Sequence, residues 1–209
     1  MTDNSQKKNY NKASDKSLSL NEEKKIGDFS NLLNELTSKV EQADLLYKNN
    51  KLEDAKNKLI DVYKKIESEF PHINAEYGYN EKYKELFLLY KKTLSNIALF
   101  NFIQKSYKEA IIYDLKLIII APKNDECIVR LFKSYSKINK CSQAVFYGGL
   151  FMELDKEIKD KYTGLEKYIE EEKNKLKKIH QSQVRKNIFI FSFLLIIPLS
   201  VLLFYFLRK

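Results

Sequence analysis

Apolar residues recur at helical spacing from Phe29 onward. Leu32, Leu33, Leu36, Val40, Ala43 and Leu46 lie three or four apart, the stripe that an amphipathic helix buries. Tyr47-Lys-Asn-Asn-Lys-Leu reads as a short turn. Ala55, Leu59, Ile60, Tyr63 and Ile66 then mark a return helix. Pro71 breaks it, because proline lacks the amide donor and its ring crowds the preceding turn. The stretch around Gly78, from Tyr77 to Tyr83, is open between a loop and a helix start. Leu86, Leu88, Leu89, Leu94, Ile97, Ala98 and Phe102 predict a helix from 84 to a turn at 104–106. A second follows over 107–120, and Pro122 ends it. Further helices are predicted at 125–138 and 143–155. The charged stretch 157–186, with Leu165, Tyr168, Leu176 and Ile179 on one side, reads as one long helix. The fold class is all-α.

These helices come in pairs, and the pairs repeat. Ala110 in KSYKEAI and Ala144 in KCSQAVF are 34 residues apart, the tetratricopeptide period. Ala55 in KLEDAKNKL precedes Ala110 by 55, one period plus 21. The extra residues lengthen the second helix of the first pair and hold the Pro71 loop. Small Ala43, Ala55, Ala98, Ala110 and Ala144 would let paired helices approach closely, and stacked pairs leave a concave groove. The pattern predicts a tetratricopeptide-like solenoid of about three helix pairs over 26–155.

The C-terminus reads differently. Between Lys186 and Arg208 no charge appears across 21 residues, NIFIFSFLLIIPLSVLLFYFL. At about 1.5 Å per residue this run reaches ~30 Å, the hydrocarbon thickness of a bilayer. It predicts a single transmembrane helix at 187–207. Lys173, Lys175, Lys177, Lys178, Arg185 and Lys186 precede it and only Arg208 and Lys209 follow, so the positive-inside bias puts the bulk of the chain in the cytosol. No apolar run opens the chain, and a span so near the end is expected to insert after synthesis, as a tail anchor. Residues 1–25, polar and nearly free of apolar side chains, read as a disordered arm. Residues 156–186 form a charged helical stalk between the repeats and the anchor.

Composition narrows the function. Five glycines do not furnish the phosphate loops of a nucleotide-binding domain, and two cysteines make neither a disulfide scaffold nor a zinc module. A reducing cytosol leaves Cys127 and Cys141 as free thiols. The net charge is +9, but only 3 of the 37 basic residues are arginines. Nucleic-acid surfaces lean on arginine for bidentate contacts, so no nucleic-acid partner is expected. No cofactor or metal site is expected either. His72 and His180 stand apart from any nucleophile, so no catalytic grouping forms and the chain is not expected to be an enzyme.

The segment LFLLYKKTLSNIALFNFIQKSYKEAIIYDLKLIIIAPKNDECIVRLFKSYSKINKCSQAV resembles the three-repeat domain of the immunophilin co-chaperones, the FK-drug-binding prolyl isomerases. One branch of that family is also tail-anchored. The resemblance spans roughly 39–154 and the tail, without the isomerase domain. It implies a groove that binds a protein or peptide partner, the acidic C-terminal tail of a heat-shock chaperone among them. It implies peptide-binding roles for Asn96 and Arg130. It also places Val40 and Asp44 where the family has a lysine and an asparagine, and Glu126 where it has a lysine. Lys91, Lys92 and Lys133 are candidates to compensate. The adaptor so implied would sit on the mitochondrial outer membrane or the endoplasmic reticulum, facing the cytosol. The alternative is a membrane-remodelling protein of the fission-adaptor type, or a fusion or tethering protein. The third repeat and the insertion count against the first. The polar stretch 173–186, unlike a heptad zipper, counts against the second. Lipid contact through the C-terminal run is common to all of these readings.

Overall fold

Three turns of one shape set the architecture. The computed structural model describes residues 28–207, with side chains through residue 190. In it Asn50, Lys105 and Asn139 take left-handed backbone φ of 60°, 62° and 58°. Each stands five residues before an alanine, Ala55, Ala110 or Ala144, and all three alanines are fully buried. Their amides close the first turn of the next helix on the carbonyls of Lys51, Ser106 and Lys140, each at 3.0 Å. The left-handed residue reverses the chain after one helix, and asparagine tolerates it better than most side chains. Lys51 and Lys140 amides reach back to the Leu46 and Tyr135 carbonyls, both at 2.9 Å, which satisfies helix-end acceptors. The repeat read from alanine spacing is therefore a repeat of backbone geometry.

The chain divides into two compact units. The first holds residues 28–104 with 119–122. Helix α1 covers 28–48, α2 Leu52–Glu69 and α3 Lys84–Ile103. At 18 residues α2 exceeds its later counterparts of 14 and 12, so part of the insertion went into this helix. The remainder forms a 3₁₀ turn, Ala75–Gly78, capped by the Asn74 side chain accepting from the Glu76 amide at 2.9 Å. A β-carbon at Gly78 would lie 2.8 Å from the Phe87 ring, so this close approach requires glycine. The core runs through Leu36, Val40 and Ala43 of α1, Leu59, Val62 and Ile66 of α2, and Leu86, Leu94 and Ile97 of α3. Tyr47 stacks on Phe100 with centroids 4.9 Å apart, adding an aromatic clasp between α1 and α3.

The second unit holds 105–118 and 123–207. Its helices are α4 (Tyr107–Ile120, its last two residues counted with the first unit), α5 (Asp125–Lys137), α6 (Cys141–Met152), α7 (Lys156–Asp160) and α8 (Leu165–Leu207). Asn124 caps α5, accepting from the Cys127 amide at 2.8 Å, and Asp125 and Glu126 sit favourably in its first turn. The core gathers Ile128, Phe132, Ala144, Phe151, Leu165 and Ile169. One expectation is corrected here. The charged stretch 157–186 is not one helix, because Gly164 at φ 83° separates α7 from α8. Glycine pays no steric penalty there, so the chain reverses and lays Leu165, Ile169 and Glu172 against α5 and α6. From Lys177 to Ile190 every residue of α8 is exposed.

The expected arm at 1–25 lies outside the described residues. Of the expected span at 187–207 the backbone is helical to Leu207, and its side chains beyond 190 are outside the description. Among the described residues no helix is long and apolar enough to cross a membrane.

Candidate functional site

Four residues carried the sequence expectation of peptide binding: Asp44, Asn96, Arg130 and Lys133. Asp44 of α1 and Asn96 of α3 come together. The Asn96 amide reaches Asp44 Oδ1 at 3.5 Å, and Lys92 Nζ lies 2.7 Å from Asp44 Oδ2. The lysine is half exposed and the aspartate a third exposed. This pair is a solvated ion pair whose charges cancel locally. Val40, which the resemblance set where the immunophilin co-chaperones have a lysine, is buried in the core at 1% exposure. Lys91 instead lies over the Phe87 ring, 5.6 Å from its centroid. The α1–α3 face therefore offers a balanced polar patch rather than converging cations.

Arg130 and Lys133 share α5 but face different surroundings. The Arg130 side chain is 7% exposed and its partner Asp114, on α4, is fully buried. The guanidinium forks onto the carboxylate, with Nε 2.9 Å from Oδ2 and Nη2 2.7 Å from Oδ1. Burial pushes the Asp114 carboxyl above the usual aspartate range, while Arg130 pulls the other way. The Cys127 thiol donates to the Asp114 carbonyl at 3.2 Å, and burial pushes its pKa well up, so it is an inert core thiol. The arginine holds α5 to α4.

Lys133, one turn further on, is half-buried and lines an open cavity of about 500 Å³ between α5 and the α7–α8 turn. Lys161, Tyr162, Thr163, Gly164, Leu165 and Tyr168 complete the lining. No hydrogen bond or ion pair to Lys133 forms among the described residues. Lys161 lies 3.9 Å from Asp125, which also accepts from the Tyr162 hydroxyl at 3.1 Å. Burial, then the Asp125 charge, raises the Tyr162 hydroxyl to about 12, so it remains a donor. Two lysines, a threonine and two tyrosines thus line the cavity together with the apolar side chain of Leu165. Such a lining suits a carboxylate carried on a peptide.

Behind that cavity lies a network the sequence reading missed. Glu172 of α8 is 1% exposed. It accepts from Ser136 of α5 at 2.7 Å and from Lys175 at 2.6 Å, while the Tyr168 hydroxyl meets Ser136 Oγ at 2.6 Å. Burial works to raise the Glu172 carboxyl, but Lys175 and Ser136 outweigh it and hold it below the usual range. Gly164 was the available signal, since a glycine inside a charged helical pattern marks a chain reversal that brings the next helix back. Among the described residues no group of His, Cys, Asp and Glu is placed to hold a metal ion. His72 and His180 are exposed, and Cys141 is a partly buried free thiol.

No family model and no curated protein matches the chain. Among solved structures it is similar to the Hsp90 co-chaperone Cns1 from Saccharomyces cerevisiae (delta69), with a TM-score of 0.48 and 20% identity. The match covers 72% of this chain and 43% of that one, so the chain spans less than half the length of that protein. A likeness at this level carries no argument about activity or partners.

Proposed function

We propose that the chain is an adaptor of tetratricopeptide-like helical repeats, which holds an acidic peptide of a partner protein at the cytosolic face of an organelle membrane. The observation that carries this reading is Lys133, a half-buried residue with no carboxylate of its own among the described residues, at the cavity it shares with Lys161 and Thr163. An unpaired cation at a cavity is free to take a carboxylate from a ligand, and a charge-assisted hydrogen bond of that kind is among the stronger ones. The acidic tail of a heat-shock chaperone has that chemistry. The Asp44–Lys92 pair argues that the α1–α3 face adds little to anion capture. Tethering is supported by the uncharged run 187–207 and by the helix that carries α8 through it. The mitochondrial outer membrane and the endoplasmic reticulum both suit such a span. On this reading the chain works by binding and performs no chemistry.

The test is a titration of the full chain in detergent micelles with an acidic peptide, once with a free C-terminal carboxylate and once amidated. Saturable binding of the free acid is expected. Lys133→Ala should weaken it about ten- to a hundred-fold, the worth of a hydrogen bond to a charged group. Equal affinity in wild type and variant, or no binding of either peptide, rejects the acidic-peptide reading.

A further inference from the structure

Helix α6 carries no charged side chain along its length, Cys141–Met152, in a chain with a net charge of +9. Its inner side holds Ala144, Gly148 and Phe151, all buried. On the opposite side Ser142, Phe146, Gly149 and Glu153 follow at intervals of four, three and four, a single line along the helix. Phe146 is 60% exposed on that line. Tyr147 holds its ring edge-on at 5.1 Å and in turn stacks on Tyr135 at 5.6 Å. A ring so held has little freedom left to lose in a contact. Gly149 is the gap beside this knob. A glycine inside a helix costs stability relative to alanine. At Gly148 the reason is Ile169, 3.0 Å from where a β-carbon would lie, but nothing lies within 4 Å of a β-carbon at Gly149. Its backbone is not left-handed either, since Gly164 is the one glycine of positive φ among the described residues. No contact among the described residues therefore requires glycine at 149. What a bare backbone there permits is the close approach of a second helix.

We propose that the outer face of α6 pairs with the same face of a second copy of this chain, antiparallel about a two-fold axis, with Phe146 of each copy seated over Gly149 of the other. One patch carries both the knob and the gap, as a self-complementary contact requires. Two copies of a basic chain repel unless the faces that meet are neutral or matched in charge. The middle of α6 is neutral and its ends are matched. Lys140 precedes the helix and Glu153 follows it, both exposed and neither in an ion pair among the described residues. Seating Phe146 over Gly149 brings Lys140 to within about 3 Å, along the axis, of the second copy's Glu153, and the symmetry makes that pair twice. A parallel pairing would instead set Lys140 against Lys140. Val145 and Leu150, partly exposed, flank the line and close over the seam. One helix face buries less than the roughly 800 Å² per partner of a standard interface, so the dimer is weak and reversible. It needs neither the peptide cavity nor a membrane.

Sedimentation equilibrium of the full chain in detergent micelles, from micromolar to submillimolar protein, should show a monomer–dimer equilibrium. Gly149→Leu fills the gap where the monomer has only open space. Its melting temperature should therefore hold while its dimer affinity falls about tenfold or more. Phe146→Ser should lower the affinity as much, because it removes the aromatic anchor. Lys140→Glu sets like charges together and should weaken the dimer, and adding Glu153→Lys should restore it. A monomer at every concentration would overturn the proposal. So would a dimer indifferent to Gly149→Leu, as one held by residues 187–207 would be. A double exchange that failed to restore the dimer would overturn the antiparallel pairing.

Discussion

Replacing Arg130 by methionine strands a carboxylate where water cannot reach it. Asp114 is fully buried and its guanidinium partner nearly so, with N–O distances of 2.7 and 2.9 Å. Removing one member of a buried pair costs about 3–5 kcal/mol, because the remaining charge keeps its desolvation penalty and loses its compensation. In a domain of this size each kcal/mol lowers the melting temperature by about 2–4 °C, so a fall of about 6–20 °C is expected. The double variant Asp114→Leu with Arg130→Met removes both charges and should recover most of the loss. The pH dependence has a definite sign. Burial raises the Asp114 carboxyl, and the guanidinium opposes that rise. Without it the folded-state pKa climbs further above the unfolded value, so the folded variant takes up a proton that the unfolded chain does not hold. The deficit should therefore shrink as pH falls from neutral toward the unfolded aspartate range. Thermal unfolding followed by far-ultraviolet circular dichroism, at neutral pH and about two units lower, reads both effects. A loss under about 1 kcal/mol would refute the buried pair. A stable variant that failed to bind an acidic peptide would make Arg130 a ligand-binding group after all.

Other perturbations are as specific. Gly148 and Gly149 are neighbours on α6 with opposite surroundings. A β-carbon at Gly148 would lie 3.0 Å from Ile169 Cγ2, while nothing lies within 4 Å at Gly149. Gly148→Leu should cost about 1–3 kcal/mol by overpacking against α8, and Gly149→Ala should gain about 1 kcal/mol of helix propensity, both read from denaturant midpoints. Asp44→Asn would release Lys92 from its ion pair and add a free cation to the α1–α3 face. Acidic-peptide affinity should rise a few-fold in the same titration, while unchanged affinity would keep that face outside the binding surface. The lowered Glu172 carboxyl contributes stability that is present above the unfolded glutamate value and lost as pH falls through the lower folded one. Acid below about pH 4.3 should therefore loosen the docking of α8, read as faster amide exchange at 165–172, and Glu172→Gln should abolish that dependence.

The repeat was legible in the sequence because its physical cause is local. A turn needs a residue that tolerates left-handed φ, and two closely packed helices need a small side chain at a fixed distance from it. Asn50 with Ala55 and Asn139 with Ala144 carry both signals within six residues. Lys105 with Ala110 carries only the second, yet the chain makes the same turn there. The span of 77–83 stayed open because a 3₁₀ turn is held by one side-chain cap and a close contact with Phe87, neither of which leaves a periodic trace. Arg130 and Lys133 look alike on one helix in the sequence, and their burial and partners separate them.

The hydrophobic pattern by itself determined the all-helical class, most helix limits, the pairing period and the uncharged C-terminal run. Each follows from which residues are apolar and how far apart they stand, a property of the chain before it folds. Tertiary structure alone decided which charges meet. Asp114 pairs with Arg130 16 residues away, Asp44 with Lys92 48 away, and Ser136 with Glu172 36 away. Charge acts through distance in space and through the water excluded around it. Both are fixed only once the helices have packed.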